Sequence, residues 1–235
     1  VIRLRQVALV AHDLDAVLAD LNRVLGIEVA FNDPGVATFG LRNAVLPVGA
    51  QFIEVVSPTK EGTAAGRQLE RMGGDGGYMV ISHTDDQSPY RARADALGIR
   101  TALEADDHGY KIWQLHPGDT GGSFLEIDFQ PGGEDPNGPW TPAGPDWQHA
   151  VRTHIVEGIA GVELAVPDPD KTAARWREIL GQPHFDNAEI RWSEGTGGLV
   201  GVDLRGTGSG IHRICGVHFR FSVGAPLYPQ GRDSR

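Results

Sequence analysis

The sequence predicts an α+β fold built from repeated βαβββ units whose curled mixed sheets surround a cavity. Three observations carry this expectation. An apolar strand run, Val7-Ala8-Leu9-Val10-Ala11, leads through His12-Asp13-Leu14-Asp15 into an amphipathic helix and Gly26. The same phrase returns as Val162-Glu163-Leu164-Ala165-Val166, then Pro167-Asp168-Pro169-Asp170, a helix and Gly181. Leu9, Asp13, Asp15, Ala19, Leu25 and Gly26 recur without a gap as Leu164, Asp168, Asp170, Ala174, Leu180 and Gly181.

Taken in order, the first helix places Leu14, Val17, Leu18, Leu21, Val24 and Leu25 on one face, the 3.6-residue spacing of an amphipathic helix. Asp13 or Asp15 supplies its N-cap and Gly26 its end. Strand-like runs follow at 36–40, 43–48 and 51–57, punctuated by Gly and Pro. A weaker second copy starts with the strand Tyr78 to His83, turns at Asp85-Asp86, and continues as a helix from Pro89 to Leu97 ended by Gly98. Its strand runs are 100–104, 111–115 and 123–129. The third copy carries Ala173, Trp176, Ile179 and Leu180 on its helix, then strand runs at 189–192, 199–204 and 217–223.

A single unit cannot bury the apolar face of its own sheet, so units are expected to pair. Residues 1–130 hold one complete pair and 131–157 a connector rich in Pro, Gly and Trp. Residues 158–223 form a third unit without a partner, and 224–235 a tail. The third unit is expected either to pack on another copy, giving a homodimer, or to fold back over the first pair as a cover.

Composition narrows the function. The chain of 235 residues has a formal net charge of -10, which disfavours phosphate-rich nucleic acid and anionic membranes. It does not forbid a small-molecule ligand. The single cysteine, Cys215, excludes an intramolecular disulfide framework and reads as a small buried hydrophobe. No apolar run approaches the ~18 residues of a membrane span, and a cytoplasmic protein is the expectation. No nucleotide-binding glycine pattern or serine-nucleophile elbow is present.

The repeated unit, with its D-L-D turn and L-G helix end, resembles the vicinal-oxygen-chelate superfamily. That group includes glyoxalase I, methylmalonyl-CoA epimerase, extradiol dioxygenases and antibiotic-binding proteins of the bleomycin-resistance type. The phrases Leu41-Arg42-Asn43-Ala44-Val45-Leu46-Pro47-Val48-Gly49 and Phe52-Ile53-Glu54-Val55-Val56-Ser57-Pro58 are most similar to its glyoxalase-like domain branch. The phrase His116-Pro117-Gly118-Asp119-Thr120-Gly121-Gly122, then Phe124-Leu125-Glu126, is similar to the closing strand of the CoA epimerases.

Metal-using members take one ligand from the first and one from the last strand of each paired unit. Carried over by register, the resemblance implies Gln6, Glu54 and Glu126 as metal ligands, with Glu126 and Glu54 as candidate catalytic carboxylates. The remaining position, where a histidine is expected, holds Met79, whose thioether is a poor ligand for hard or borderline ions. In the third unit the equivalent of Gln6 is Gly161. Two alternatives stay open: a divalent ion (zinc, magnesium, manganese or nickel) held by three oxygen donors, or no cofactor, the buried Glu54–Glu126 pair then pushing one carboxyl's pKa upward to make a general acid or base.

Further ligand-binding candidates are Met79 itself, His83 by strand alternation, Trp113 as an aromatic wall, and the amides of Gly121 and Gly122 as an anion nest. His12 shares a face with Gln6. The functional expectation is a lyase or isomerase acting by carboxylate proton transfer, metal-assisted or not. Its alternative is a metal-free protein that sequesters a hydrophobic molecule. A dioxygenase would need two histidines that the register does not supply.

Overall fold

The computed structural model describes residues 1–221; the expected 224–235 tail and the last two residues of the third unit lie outside them. In chain order the first unit is β1 (Ile2–Val10), α1 (Leu14–Leu25), β2 (Leu41–Val48) and β3 (Gln51–Pro58), followed by α2 (Ala64–Met72). The second is β4 (Gly76–Thr84), α3 (Ser88–Ala96), β5 (Thr101–Asp107), β6 (Tyr110–Leu115), the single turn α4 (Pro117–Thr120) and β7 (Phe124–Asp128). After the connector come β8 (Val156–Val166), α5 (Pro169–Leu180), β9 (Glu189–Glu194), β10 (Gly198–Gly206), β11 (Ile211–Ile214) and β12 (Val217–Phe221).

The local signals act as read. The Asp13 side chain accepts from Ala16 N and caps α1, and Gly26 ends it at φ 67°. Asp168 accepts from Lys171 N and Gly181 closes α5 at φ 76°. These left-handed C-caps are conformations that glycine adopts without a Cβ penalty.

β1 to β7 form one sheet in the order β2-β3-β1-β4-β7-β6-β5. In each unit the first strand runs parallel to the last, β1 to β3 and β4 to β7, and β1 pairs antiparallel with β4 at the centre. The strand expected at 36–40 is instead a 3-10 turn over Pro34–Phe39. Pro34 has no N–H to give a ladder, and Asp33 Oδ1 accepts from Gly35 N at 2.8 Å, which holds the chain in a turn.

The expected third unit resolves into two partial ones. β8 to β12 form a second sheet, β11-β12-β10-β8-β9, in which β8 runs parallel to β9 and β10 parallel to β12. β8 and β10 pair antiparallel at its centre, as β1 and β4 do. The second half therefore repeats the pairing plan of the first with strands removed from both units. Its ends adjoin the first half by backbone contact: a Cβ on Gly77 would stand 2.1 Å from Leu199 O, and one on Gly49 2.0 Å from Glu157 O.

Two apolar clusters follow from strand alternation. Val7, Leu9, Ile53, Val55, Val80, Leu125 and Ile127 point from the back of the large sheet into a core shared with α1, α3, α5 and the second sheet. The third segment thus covers the back of the first pair within the same chain, not the mouth of its cavity. Its apolar face is already buried in this chain, so the reason to expect a second copy falls away. The opposite, concave face carries Ala8, Val10, Phe52, Val56 and Ile81 and packs against α2 and Trp140, Ala143 and Trp147 of the connector. Phe52 meets Trp147 edge-on with centroids 4.9 Å apart and stacks on Trp140 at 6.3 Å. Burying two indoles secures an otherwise irregular segment, since each buried aromatic contributes roughly 150–250 Å² of contact. Among the described residues no helix is long and apolar enough to cross a membrane.

Candidate functional site

The concave face leaves a cavity of about 490 Å³, roofed by the 3-10 turn at 34–39 and walled by β5. Gln6 on β1, Glu54 on β3, Met79 on β4 and Glu126 on β7 all line it. Four strands from two units thus deliver the four register positions to one place. The mechanism is the pleat: in the ladder, Ala8 stands opposite both Glu54 and Met79, and Ile81 opposite both Gln6 and Glu126.

The carboxyls are buried and held by amide donors. Glu54 is 8 % exposed and Glu126 6 %. Gln6 Nε2 donates to Glu54 Oε2 at 2.8 Å, and Asn43 Nδ2 donates to Oε1 at 2.7 Å. Gln114 Nε2 donates to Glu126 Oε2 at 3.0 Å. Burial pushes the Glu54 carboxyl up to about 7, resisted by the Asn43 hydrogen bond and assisted by the charge of Glu126. Burial also raises Glu126, resisted by hydrogen bonds from Asp128 and Gln114.

Asp128, two residues further along β7, is fully buried, and burial with the neighbouring Glu126 charge raises it well above the carboxylate range. Tyr110 OH donates to Asp128 Oδ2 at 2.5 Å, and Trp113 N donates to Oδ1 at 3.2 Å. Two like charges this deep are costly, so ionising both Glu126 and Asp128 together is disfavoured.

The donor set does not fit a divalent ion. Trp140 Nε1, which can only donate, gives its hydrogen to Gln6 Oε1 at 2.8 Å. Gln6 is therefore pinned with its oxygen toward the connector and its NH₂ toward Glu54. Both Glu54 oxygens already accept from amides, and Met79 supplies only sulfur. Among the described residues no group of three or more His, Cys, Asp and Glu side chains has a metal-holding arrangement.

Other sequence candidates lie elsewhere. His83 is buried behind the connector, edge-on to Trp140 with its Nε2 3.3 Å from Gln130 O, and does not line the cavity. Trp113 points to the back core, where Nε1 donates to Thr101 Oγ1 at 3.0 Å and Arg91 lies over the ring. The turn with Gly121 and Gly122 is not an open anion nest. Gly121 N donates to Pro117 O, Gly118 N to His116 Nδ1, and a Cβ on Gly122 would meet Val166 Cγ1 at 2.6 Å. That turn needs glycine because it docks on the second half at positive φ. His12 pairs with Asp75 at 2.8 Å on the surface.

Sequence reasoning missed Asn43, Gln114, Asp128 and Trp140. A signal existed for the first two: each is a polar residue in an apolar strand run, on the strand paired with that of Glu54 or Glu126. Trp140 gave none, because its role depends on how the connector folds back.

The second half shows what became of its own equivalent positions. Through the matched ladders, Gly161 stands for Gln6, Arg191 for Glu54, Gly201 for Met79 and Arg220 for Glu126. Arg191 makes two hydrogen bonds to Asp203 at 2.8 and 2.7 Å, and Arg220 pairs with both Asp203 and Glu163. The second cup is thus closed by its own ion pairs.

Comparison with known proteins agrees with this architecture. The family model described as a glyoxalase-like domain matches residues 7–180. A hypothetical protein from Staphylococcus aureus is 13% identical, with a TM-score of 0.67 covering 94% of this chain and 99% of its own. That likeness spans both halves and shows the fold. Methylmalonyl-CoA epimerase from Mycobacterium tuberculosis is 23% identical (54% of this chain, 87% of its own, TM-score 0.48). A Streptomyces coelicolor methylmalonyl-CoA epimerase variant in complex with 2-nitronate-propionyl-CoA is 25% identical (55% and 96%, TM-score 0.49). No curated protein matches the chain.

Proposed function

The chain belongs to the glyoxalase-like domain family, and from that premise we propose that it is a lyase or isomerase moving a proton between carboxyls and a small molecule in the concave cavity. The observation that carries this is the pair Glu54 and Glu126, buried on facing strands of one cavity and each held by side-chain amides. A carboxyl whose pKa lies about 7 is present in both protonation states near neutral pH, so it serves as acid or base with little penalty. In this reading one carboxyl removes a proton from a carbon made acidic by an adjacent carbonyl. The other, protonated, donates to that carbonyl oxygen or returns a proton to carbon. Asp128 stands behind Glu126 and accepts from Tyr110 OH. Because Trp140 turns the Gln6 oxygen away, no step is assigned to a metal.

The test is carbon-bound hydrogen exchange in D₂O with a panel of small ketones and thioesters, using protein treated with EDTA. Glu54→Gln and Glu126→Gln are each expected to lower exchange by roughly 10²-fold or more, the usual contribution of general acid–base groups. Exchange that survives both substitutions refutes the reading. A second reading, metal-free sequestration of a hydrophobic molecule, is favoured by Met79, an adaptable apolar side chain at the heart of the cavity. It predicts ligand-induced thermal stabilisation without any exchange activity.

A further inference from the structure

We propose that the concave cavity selects an apolar molecule without negative charge, one that is neutral or carries an amine, and that it rejects carboxylates and phosphate esters. This rests on the proton-transfer reading above and adds the class of compound to it.

The argument starts with volume. About 490 Å³ is ample for an organic ligand and falls within the range of small-molecule sites. Its walls are largely apolar: Val56, Ile81, Leu103 and Ile112 line it, and Phe39 at the roof is 55 % exposed. An exposed aromatic beside a cavity of this kind suits an apolar body.

Charge decides the rest. Glu54 and Glu126 line the floor, and Asp33 and Asp107 line the cavity from the roof turn and β5. Among the described residues no Lys, Arg or His lines it. Arg67 and Arg71 of α2 act on Tyr78 from a distance without entering the wall, and Arg5 is held under Phe52, Trp140 and Trp147. An anionic ligand would therefore surrender its hydration to a wall that holds four carboxyls and, among the described residues, no cation to offset its charge. A neutral ligand meets no such repulsion, and an amine gains the attraction of Asp33 and Asp107.

The experiment uses three probes with one body: 4-phenylbutylamine, 4-phenylbutanol and 4-phenylbutyrate, titrated by calorimetry against the full chain at pH 7.5. The amine and alcohol are expected to bind, and the carboxylate at least about tenfold more weakly than the alcohol. In the double variant Asp33→Asn/Asp107→Asn the amine is expected to lose several-fold in affinity while the alcohol is unchanged. The Asn at position 33 keeps the turn, because it still accepts from Gly35 N. A carboxylate that binds as tightly as the alcohol overturns the proposal, as does binding by none of the three. The binding order is read without turnover, so loss of exchange activity in the Glu variants and loss of charge preference are separate results.

Discussion

Replacing Glu54 by Gln removes one buried titrating group and keeps its shape, and its main effect should be on the pH dependence of stability. The folded carboxyl titrates at about 7 against an ordinary 4.5. The gap of about 2.5 pH units corresponds to an upper bound of about 3–4 kcal/mol at ~1.4 kcal/mol per unit. The sign follows from proton binding. Between about pH 4.5 and 7 the folded chain holds the Glu54 proton and the unfolded chain releases it. The stability this supplies is fully present below about pH 4.5 and is lost as pH rises through about 7. The Gln variant lacks that loss. Constant offsets, such as crowding of the new NH₂ against the Gln6 and Asn43 donors, cancel when each protein is compared with itself. Glu126 and Asp128 titrate in both proteins and cancel except for the part of the Glu126 shift set by the Glu54 charge, which belongs to the same measured difference. Urea unfolding at pH 5 and pH 8 measures the difference through the midpoint and slope. Wild type should lose about 1–3 kcal/mol more than the variant over that interval, the lower figure allowing for relaxation around the charge. Parallel losses would refute the claim that Glu54 sits protonated in the folded cavity.

Trp140→Phe keeps the aromatic stack on Phe52 but removes the donor to Gln6, and should cost about 1–3 kcal/mol in thermal or urea unfolding. Tyr110→Phe deletes the donor to buried Asp128 and should cost a similar 1–3 kcal/mol at pH 5 to 8. Gly77→Ala drives a methyl to within 2.1 Å of Leu199 O, and overpacking there should destabilise by about 1–3 kcal/mol, read as a lowered melting temperature. The Cys215 thiol, pushed up to about 12 by burial, should react with iodoacetamide at pH 8 many times more slowly in the native protein than in urea.

The parts of this molecule legible in sequence are those set by local chemistry and short periods. The Asp13 and Asp168 caps, the Gly26 and Gly181 stops and the alternation of β1 were readable because each depends on neighbours within a turn or two. Gln6, Glu54, Met79 and Glu126 were placed together by register, since paired units bring first and last strands to one centre. What escaped was set by distant contacts. The run at 36–40 has strand composition, but Pro34 and the Asp33 cap turn it into the cavity roof. The third segment reads as one unit, yet its β8–β10 pairing makes it two partial ones covering the back of the sheet. His83 shares a strand face with Met79, but Trp140 and the connector seal it off. The usability of Gln6 as an oxygen donor also turned on Trp140, more than a hundred residues away.

The most direct test of a proton-based cavity is a carbon-13 NMR titration of the side-chain carboxyls in protein labelled at glutamate, with EDTA and then with one equivalent of manganese or zinc. The structure predicts Glu54 titrating near 7, unchanged when the divalent ion is added, because Gln6 faces the cavity with its NH₂. A Glu54 carboxylate that is already ionised at pH 5, or one that a stoichiometric ion pulls into that state, would contradict it.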